Sequence, residues 1–562
     1  MSHDQSQATA PPHATRAPGD LSYTHGAAAA PLIGETIGAN LRRTVERFGQ
    51  REALVVCHQN VRFTYAELWE HTSRCARGLL AHGVQKGDRV GIWSPNRYEW
   101  VVLQFAAARV GAILVNVNPA YKAAELEYAL RQSGTSVLVL ARGFRRTNYV
   151  AMLAGVRDRC PELREALVLE DDWAALLASG DQVSDAELAA REAALDFDDP
   201  INIQYTSGTT GAPKGATLSH HNVVNNAFFG AEQLRLGERD RLCAPVPLYH
   251  TFGCVLASLG CSTHGACLVL PSETFDPLAV LEAVQAERCT ALYGVPTMFI
   301  SELEQARFAE FDLATLRTGM MGGAPCPLEV MKQVQERMHL REVTIICGMT
   351  ETAPLSTQTS ADDPLDKQVG TVGRAHPHVE IKIIDPATGQ TVPRGAPGEQ
   401  CTRRYNVMLG YWNNPEATQH AIDGARWMHT GDLATMDEQG YVKIVGRLKD
   451  MLIRGGENIY PREIEEFLHS HPAVSDVQVI GVPDARYGEE VMAWIRLREG
   501  AHTSQAELAA FCRGRIATYK IPRYWKFVEE FPMTVTGKVQ KFRMRELAMA
   551  ELGLLSASVA AS

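Results

Sequence analysis

No two of the chain's 12 cysteines stand as C-x-x-C. That absence removes the usual spacing of a zinc site, and nothing marks a disulfide framework, so reduced thiols in a cytoplasm fit best. Positive charge is also in short supply: 55 Lys and Arg face 65 Asp and Glu, a formal net charge of −10. No basic run offsets it, which argues against a nucleic-acid partner. Long hydrophobic runs are missing too. The most apolar long stretch, VVLQFAAARVGAILVNV (101–117), is broken by Gln104, Arg109 and Asn116. It predicts an amphipathic helix followed by a buried strand, not an integral membrane segment. The opening MSHDQSQATAPPHATRAPGD has no apolar core, and Arg16 is its only Lys or Arg. It therefore suits neither a signal peptide nor an Arg-rich transit peptide, and residues 1–30 read as a disordered tail. No internal repeat or coiled coil is apparent.

What is present is ordinary globular material, 45% hydrophobic and 21% charged, over 562 residues. Such a length predicts about two to four domains. Between residues 30 and 350, strand-like runs (RVGIWSP, AILVNV, SVLVLA, ACLVLP, CTALYGV, VTIICG) alternate with helical patterns such as AELEYALRQSG and PLAVLEAVQAERC. This alternation predicts an α/β fold of mainly parallel sheets covered by helices. From 365 to 446 the texture shifts to short strands with turn signals, a smaller antiparallel or barrel-like subdomain. A new helix–strand pattern begins after GRLKDMLIRGGENIYPREIEEFLHSHP. The expected division is 31–446, a junction at 447–449, and 450–562.

Several short stretches carry chemistry. YTSGTTGAPKGA (205–216) follows the alternating strand INIQY and precedes a helix that Ser219 can cap. Glycines at 208, 211 and 215 let backbone N–H groups approach an anion. Thr206, Ser207, Thr209 and Thr210 add hydroxyls, and Lys214 adds a charge. The same composition suits a plain surface turn, and the spacing is not that of a Walker loop. In ICGMTETAP (346–354), Glu351 beside Thr350 and Thr352 can hold Mg²⁺, or be a solvated loop residue. In HTGDLATMDEQGYVKIVGR (429–447), Asp432 can accept two ribose hydroxyls, or simply form a turn. Lys538 in FPMTVTGKVQK follows a glycine in a polar turn.

Taken in order, YTSGTTGAPKGA, CGMTET, HTGDL, GRLKDMLIRGGENI and PMTVTGK resemble the AMP-forming acyl-CoA synthetases. This adenylating superfamily also contains firefly luciferase and peptide-synthetase adenylation domains. The resemblance runs from about Leu32 to Ala548. GIWSPNRYEWV, VNVNPAYKAAELEYAL, GATLSHHNVVNN and PVPLYHTFG look closest to its medium-chain fatty acyl-CoA synthetase branch. The resemblance implies a large domain of two helix-covered, mainly parallel sheets with a small β-barrel-like subdomain. A smaller, mobile α+β C-terminal domain follows. It also implies roles. Thr206, Ser207, Gly208, Thr209, Thr210, Gly211 and Lys214 would hold the ATP phosphates. Gly322, Gly323 and Ala324 would line the adenine and acyl side, with Cys347, Gly348 and Met349 beside them. Thr350 would touch the α-phosphate, Glu351 would hold Mg²⁺, and Asp432 and Arg447 would grip the ribose. Lys449 would be the hinge, and Lys538 would reach the carboxylate and α-phosphate. His250 would stand between acyl pocket and thiol, and Gly455 and Gly456 would give room to coenzyme A.

One position departs from the family pattern. Cys347 replaces the aromatic residue that usually stacks on adenine, which costs about 1 kcal/mol if aromatic contacts are a guide. The implied reaction has two halves: a carboxylate attacks Mg·ATP to give acyl-AMP and pyrophosphate, then coenzyme A takes the acyl group and AMP leaves. The expected partners are a small carboxylic acid, ATP and coenzyme A, with no nucleic acid. Oligomeric state is open, a homodimer included. Alternatives are a ligase for an aryl or branched short acid, and a catalytically silent nucleotide- or acyl-binding protein. A peptide-synthetase module fits less well, because PLYHTFG lacks the Asp that anchors an amino group in that branch.

Overall fold

The structure, a computed structural model, describes residues 20–206, 213–324, 326–455, 457–533 and 539–554. Each strand-like run named above is a strand, and two sheets gather them. The seven-stranded sheet runs in the order Gly410–Tyr411, Lys214–Ser219, Pro200–Thr206, Ile113–Asn116, Arg89–Trp93, Thr135–Leu140, Glu165–Val168. From Pro200–Thr206 onward its strands are parallel. The nine-stranded sheet has a parallel centre from Glu342–Gly348 through Thr318–Gly322, Ala291–Gly294, Arg241–Cys243 and Cys267–Leu270 to Glu52–Val56. Antiparallel strands flank this centre at both edges. Strands such as Thr135–Leu140 are buried along their whole length, as expected where helices cover both faces.

Two expectations need correction. The helix Tyr98–Val110 is not amphipathic, because every residue from Glu99 to Val110 is buried. It packs against Tyr65–Ala81, Ile37–Phe48 and Asp185–Ala193, so it has no solvent face to keep polar. Its one cation, Arg109, is 3% exposed. It donates from Nε to Glu192 (2.5 Å) and from Nη1 to Ser73 (2.8 Å) and Thr72 (3.1 Å), and it lies 3.6 Å from the Trp69 ring centroid. Residues 20–30 are not part of a disordered tail. Tyr23–His25 pairs antiparallel with Glu380–Lys382, and the Tyr23 hydroxyl donates to Glu380 at 3.0 Å; residues 1–19 lie outside the described residues. The helix expected after the glycine-rich segment is present, with a strand pair before it. Pro200–Thr206 and Lys214–Ser219 form an antiparallel hairpin, with Thr206 paired to Lys214. Ser219 then caps His220–Gln233 by accepting from the Asn222 N–H at 3.2 Å.

A third sheet is antiparallel throughout: Tyr23–His25, Glu380–Ile384, Gly398–Arg403, Met428–Met436, Val442–Arg447. Its core (Ile381, Ile383, Ala434, Met436, Val442) packs with Phe229 of the helix His220–Gln233. Residues beyond 451 build hydrophobic clusters of their own. Their centre is the long antiparallel pair Val474–Asp484 and Gly488–Leu497. Among the described residues no helix is long and apolar enough to cross a membrane.

Removing one partner of a buried ion pair strands the other charge, at about 3–5 kcal/mol. Arg109→Ala should therefore lower the urea midpoint and the Tm of the N-terminal transition substantially. An unchanged unfolding curve would show that the Arg109–Glu192 pair carries no net stabilisation.

Candidate active site

In open α/β sheets, ligands settle outside the carboxyl ends of the parallel strands. Here those ends bring together Thr206, Gly322 and Gly348. The strand Glu342–Gly348 stops at a tightly built corner: a Cβ on Gly348 would lie 1.8 Å from the Pro354 carbonyl oxygen. The Met349 N–H donates to that same oxygen at 3.0 Å, and the Thr352 hydroxyl donates to it at 2.8 Å. The corner leads into a short turn, Thr350–Thr352, which buries Glu351 to 5% exposure.

A buried carboxyl group needs hydrogen-bond partners. Glu351 Oε1 accepts from the Tyr411 hydroxyl at 2.8 Å and from Thr206 Oγ1 at 3.3 Å, and its backbone oxygen accepts from the Met408 N–H at 2.9 Å. Lys214 Nζ stands 5.1 Å from the Tyr411 ring centroid. The structure thus collects Thr206, Lys214 and Glu351 in one place. Ser207, Gly208, Thr209, Thr210 and Gly211, expected in the same loop, lie outside the described residues, as do Gly456 and Lys538.

A second group forms beside the first. Asp432 and Arg447 are directly opposed across two strands of the antiparallel sheet, with Arg447 Nε 2.8 Å from Asp432 Oδ1. Glu399 Oε1 accepts from the Gly431 N–H at 3.0 Å, which steadies the turn before Asp432. The Cys347 thiol is pushed up to about 12 by burial, and the nearby Asp432 carboxylate adds to the effect. Cys347 is therefore a neutral thiol near pH 7, next to the Asp432–Arg447 pair. Lys449 occupies the turn that follows, where the Arg447 carbonyl accepts from the N–H groups of Asp450 and Met451, both at 3.0 Å.

Gly322 and Gly323 close one side. A Cβ on Gly322 would lie 2.3 Å from Ile346 Cγ1, and Gly323 has φ +81°, a conformation that disfavours other residues. Ala324 follows at once. His250 precedes a π-helical segment, Phe252–Leu259, and its carbonyl accepts from the N–H groups of Gly253 and Cys254 at 2.9 Å. Such segments are common at functional sites. The Phe252 and Tyr293 rings stack at 5.5 Å, which joins the segment after His250 to the strand Ala291–Gly294. Gly455, with φ +60°, has its N–H bonded to the Tyr487 carbonyl at 2.9 Å.

Sequence reasoning missed Tyr411, whose dipeptide Gly-Tyr carries no motif signal by itself. It also missed a buried amide network. Asn202 and Gln204 read as the wet face of an alternating strand, yet they are only 6% and 3% exposed. Gln204 Nε2 donates to Asn202 Oδ1 at 2.6 Å, and Asn202 Nδ2 donates to Asn116 Oδ1 at 3.0 Å. Asn116 Nδ2 in turn donates to the Tyr249 carbonyl at 3.1 Å. Mutual satisfaction is what lets these amides sit inside, and the chain of bonds fixes the segment carrying His250.

Family models match most of the chain. The model described as "AMP-binding enzyme" matches residues 41–412, and "AMP-binding enzyme C-terminal domain" matches 463–538. The chain is 49% identical to the putative acyl-CoA synthetase YngI of Bacillus subtilis (strain 168), covering 94% of this chain and 100% of that protein. It is 45% identical to the mitochondrial medium-chain acyl-CoA ligase ACSF2 of Danio rerio, covering 95% and 91%. Among solved structures, the anthranilate CoA ligase AuaEII in complex with anthranoyl-AMP superposes with a TM-score of 0.81 at 28% identity, covering 93% and 99%. ATP-bound MatB from Rhodopseudomonas palustris gives 0.78 at 31% identity, covering 91% and 99%.

The Tyr411–Glu351 bond yields a test. A hydrogen bond to a charged group contributes about 1.5–3 kcal/mol. Tyr411→Phe should thus weaken ATP binding, measured calorimetrically with Mg²⁺ present, by at least about tenfold. An unchanged dissociation constant would mean that Tyr411 does not hold Glu351 for the nucleotide.

Proposed function

Because this chain belongs to the AMP-binding enzyme family and is an acyl-CoA synthetase, we propose that its acid substrates are apolar monocarboxylates of medium length. The observation that carries this reading is the packing of Phe252, two residues after His250, on the buried Tyr293 ring at 5.5 Å, which backs the His250 segment with apolar core. The names of the ACSF2 relatives agree with it. The 12 free cysteines suit a reducing compartment such as the cytoplasm.

The proposed division of labour follows from the donor types. Lys214, with the hydroxyl-rich loop before it, draws the β- and γ-phosphates of ATP into the cleft. Asp432 accepts the ribose hydroxyls, and Arg447, its partner at 2.8 Å, keeps that carboxylate oriented. Carboxylate and hydroxyl oxygens at Glu351, Thr206 and Tyr411 are the hard donors that Mg²⁺ prefers. When bound there, Mg²⁺ supplies charge neutralisation at the phosphates. Thr350 and Lys538 are assigned to the α-phosphate, where the charge of Lys538 offsets what accumulates as an anion attacks a polyanion. The substrate carboxylate is itself the nucleophile, so no general base is assigned. Coenzyme A then attacks the acyl-adenylate past His250, with Gly455 and Gly456 leaving room for its narrow arm. The two halves need different groups, and rotation about Lys449 exchanges them.

Each buried CH₂ is worth about 0.8 kcal/mol. The specificity constant for saturated acids should therefore climb about fourfold per carbon until the pocket is full. A coenzyme A consumption screen across graded chain lengths reads this directly. A flat profile, or preference for acetate, amino acids or aryl acids, contradicts the proposed substrate class.

The two lysines should fail in opposite ways. Lys538→Ala should abolish acyl-AMP formation yet retain much of the thioester step when acyl-adenylate is supplied. Lys449→Pro fixes φ near −65° at the turn, so it should form adenylate but transfer it slowly. Equal losses in both half-reactions for both variants would contradict domain alternation.

A further inference from the structure

Outside the cleft, the antiparallel sheet sets three different metal-ligating side chains on one face. Glu399 and Cys401 are two residues apart on the strand Gly398–Arg403, so they share a face. His429, on the neighbouring strand, is the direct cross-strand partner of Cys401. One ligand atom from each of the three lies within 4.8 Å of the others. His429 Nδ1 is 2.9 Å from Glu399 Oε2 and 3.7 Å from Cys401 Sγ.

The 3.7 Å sulfur–nitrogen separation is that of a metal site, while the 2.9 Å nitrogen–oxygen contact is a hydrogen bond that metal binding would open. With Zn–S at about 2.3 Å and Zn–N at about 2.0–2.1 Å, tetrahedral angles place sulfur and nitrogen about 3.6 Å apart. The same geometry sets nitrogen and oxygen about 3.4 Å apart, so a small rotation of His429 or Glu399 completes the triangle. The surroundings fit as well. Glu399 is anchored through its other oxygen by the Gly431 N–H at 3.0 Å, which aims Oε2 inward. The remaining ring nitrogen, His429 Nε2, faces Asp423 Oδ2 at 3.9 Å. A carboxylate behind a ligating histidine is the usual outer support of such sites. Cys401 is fully buried, whereas the His429 side chain is 31% exposed and that of Asp423 36%. An ion can thus enter from the His429 side. Lys382, the direct cross-strand partner of Cys401, is a cation near both Cys401 and His429, and with Arg403 it lies over the Trp427 ring at 4.5 Å.

We infer that Glu399, Cys401 and His429 form a binding site for one zinc-class divalent cation, with Asp423 orienting the imidazole and solvent completing the coordination. Thiolate, imidazole and carboxylate together select Zn²⁺ over Mg²⁺ or Ca²⁺. Binding sends the Cys401 thiol proton to solvent and displaces the proton shared by His429 Nδ1 and Glu399, leaving Nε2–H toward Asp423, as metal–sulfur and metal–nitrogen bonds form. The site lies three residues before Asp432, on the same strand, and shares Glu399 with the turn that positions Asp432.

Chelator-treated full-length protein should be titrated with Co²⁺ and followed by near-ultraviolet thiolate-to-cobalt absorption. One equivalent should raise the band, and one equivalent of Zn²⁺ should abolish it. Cys401→Ser should remove the band, His429→Gln should weaken Co²⁺ binding at least tenfold, and Asp423→Asn should weaken it about tenfold. A wild-type protein without the band, or a band that survives both Cys401→Ser and His429→Gln, overturns the inference and leaves Glu399–His429 as an ordinary ion pair. Should Cys401→Ser not fold, His429→Gln, at the solvent edge, decides the question alone.

Discussion

The cleft depends on one buried carboxyl group shared between two sheets. Glu351 follows a strand of the nine-stranded sheet, while both hydroxyls that reach its Oε1 belong to the seven-stranded sheet. Burying that group without those donors would cost several kcal/mol, so the seam between the sheets is registered at this point. The corner that delivers Glu351 tolerates no side chain at Gly348, and the strand beside it tolerates none at Gly322. Backbone crowding on one sheet and hydroxyl donation from the other therefore fix the same few ångströms.

The third sheet joins this seam from another side. Its Asp432–Arg447 pair stands near Cys347, which lies on the nine-stranded sheet one residue before Gly348. A neutral thiol there offers neither a ring face nor a charge. Immediately after Arg447 the chain turns through Lys449 into residues with hydrophobic clusters of their own. The ion pair Lys443–Glu466, at 3.6 Å, spans that turn. Surface pairs of this kind contribute little.

Much of this was legible from local pattern. The parallel strands announced themselves as short apolar runs, and Ser219 as a helix cap, because burial on both faces and cap chemistry are local properties. The failures share a different cause. Asn202 and Gln204 alternate like the wet side of a strand but are buried, since helices cover both faces and neighbouring amides satisfy one another. Tyr98–Val110 carries Gln104 and Arg109 yet is fully enclosed, because Cys254, Ser258 and Glu192, distant in sequence, supply their partners. Tyr23–His25 follows a polar segment and gains its order from a strand more than 350 residues away. Tyr411 reaches Glu351 only through the pairing of Gly410–Tyr411 with Ala216–Thr217. Long-range partners decide each case, and no window of sequence contains them.

The central claim is that the seam at Glu351 is where an acid is adenylated. Acid-dependent exchange of labelled pyrophosphate into ATP, measured without coenzyme A, isolates that half-reaction. Exchange is expected in the wild type only when a carboxylic acid is present. Glu351→Ala should lose at least two orders of magnitude of it, about 3 kcal/mol, with an unchanged near-ultraviolet circular dichroism spectrum. Exchange in Glu351→Ala close to the wild-type rate would contradict the claim.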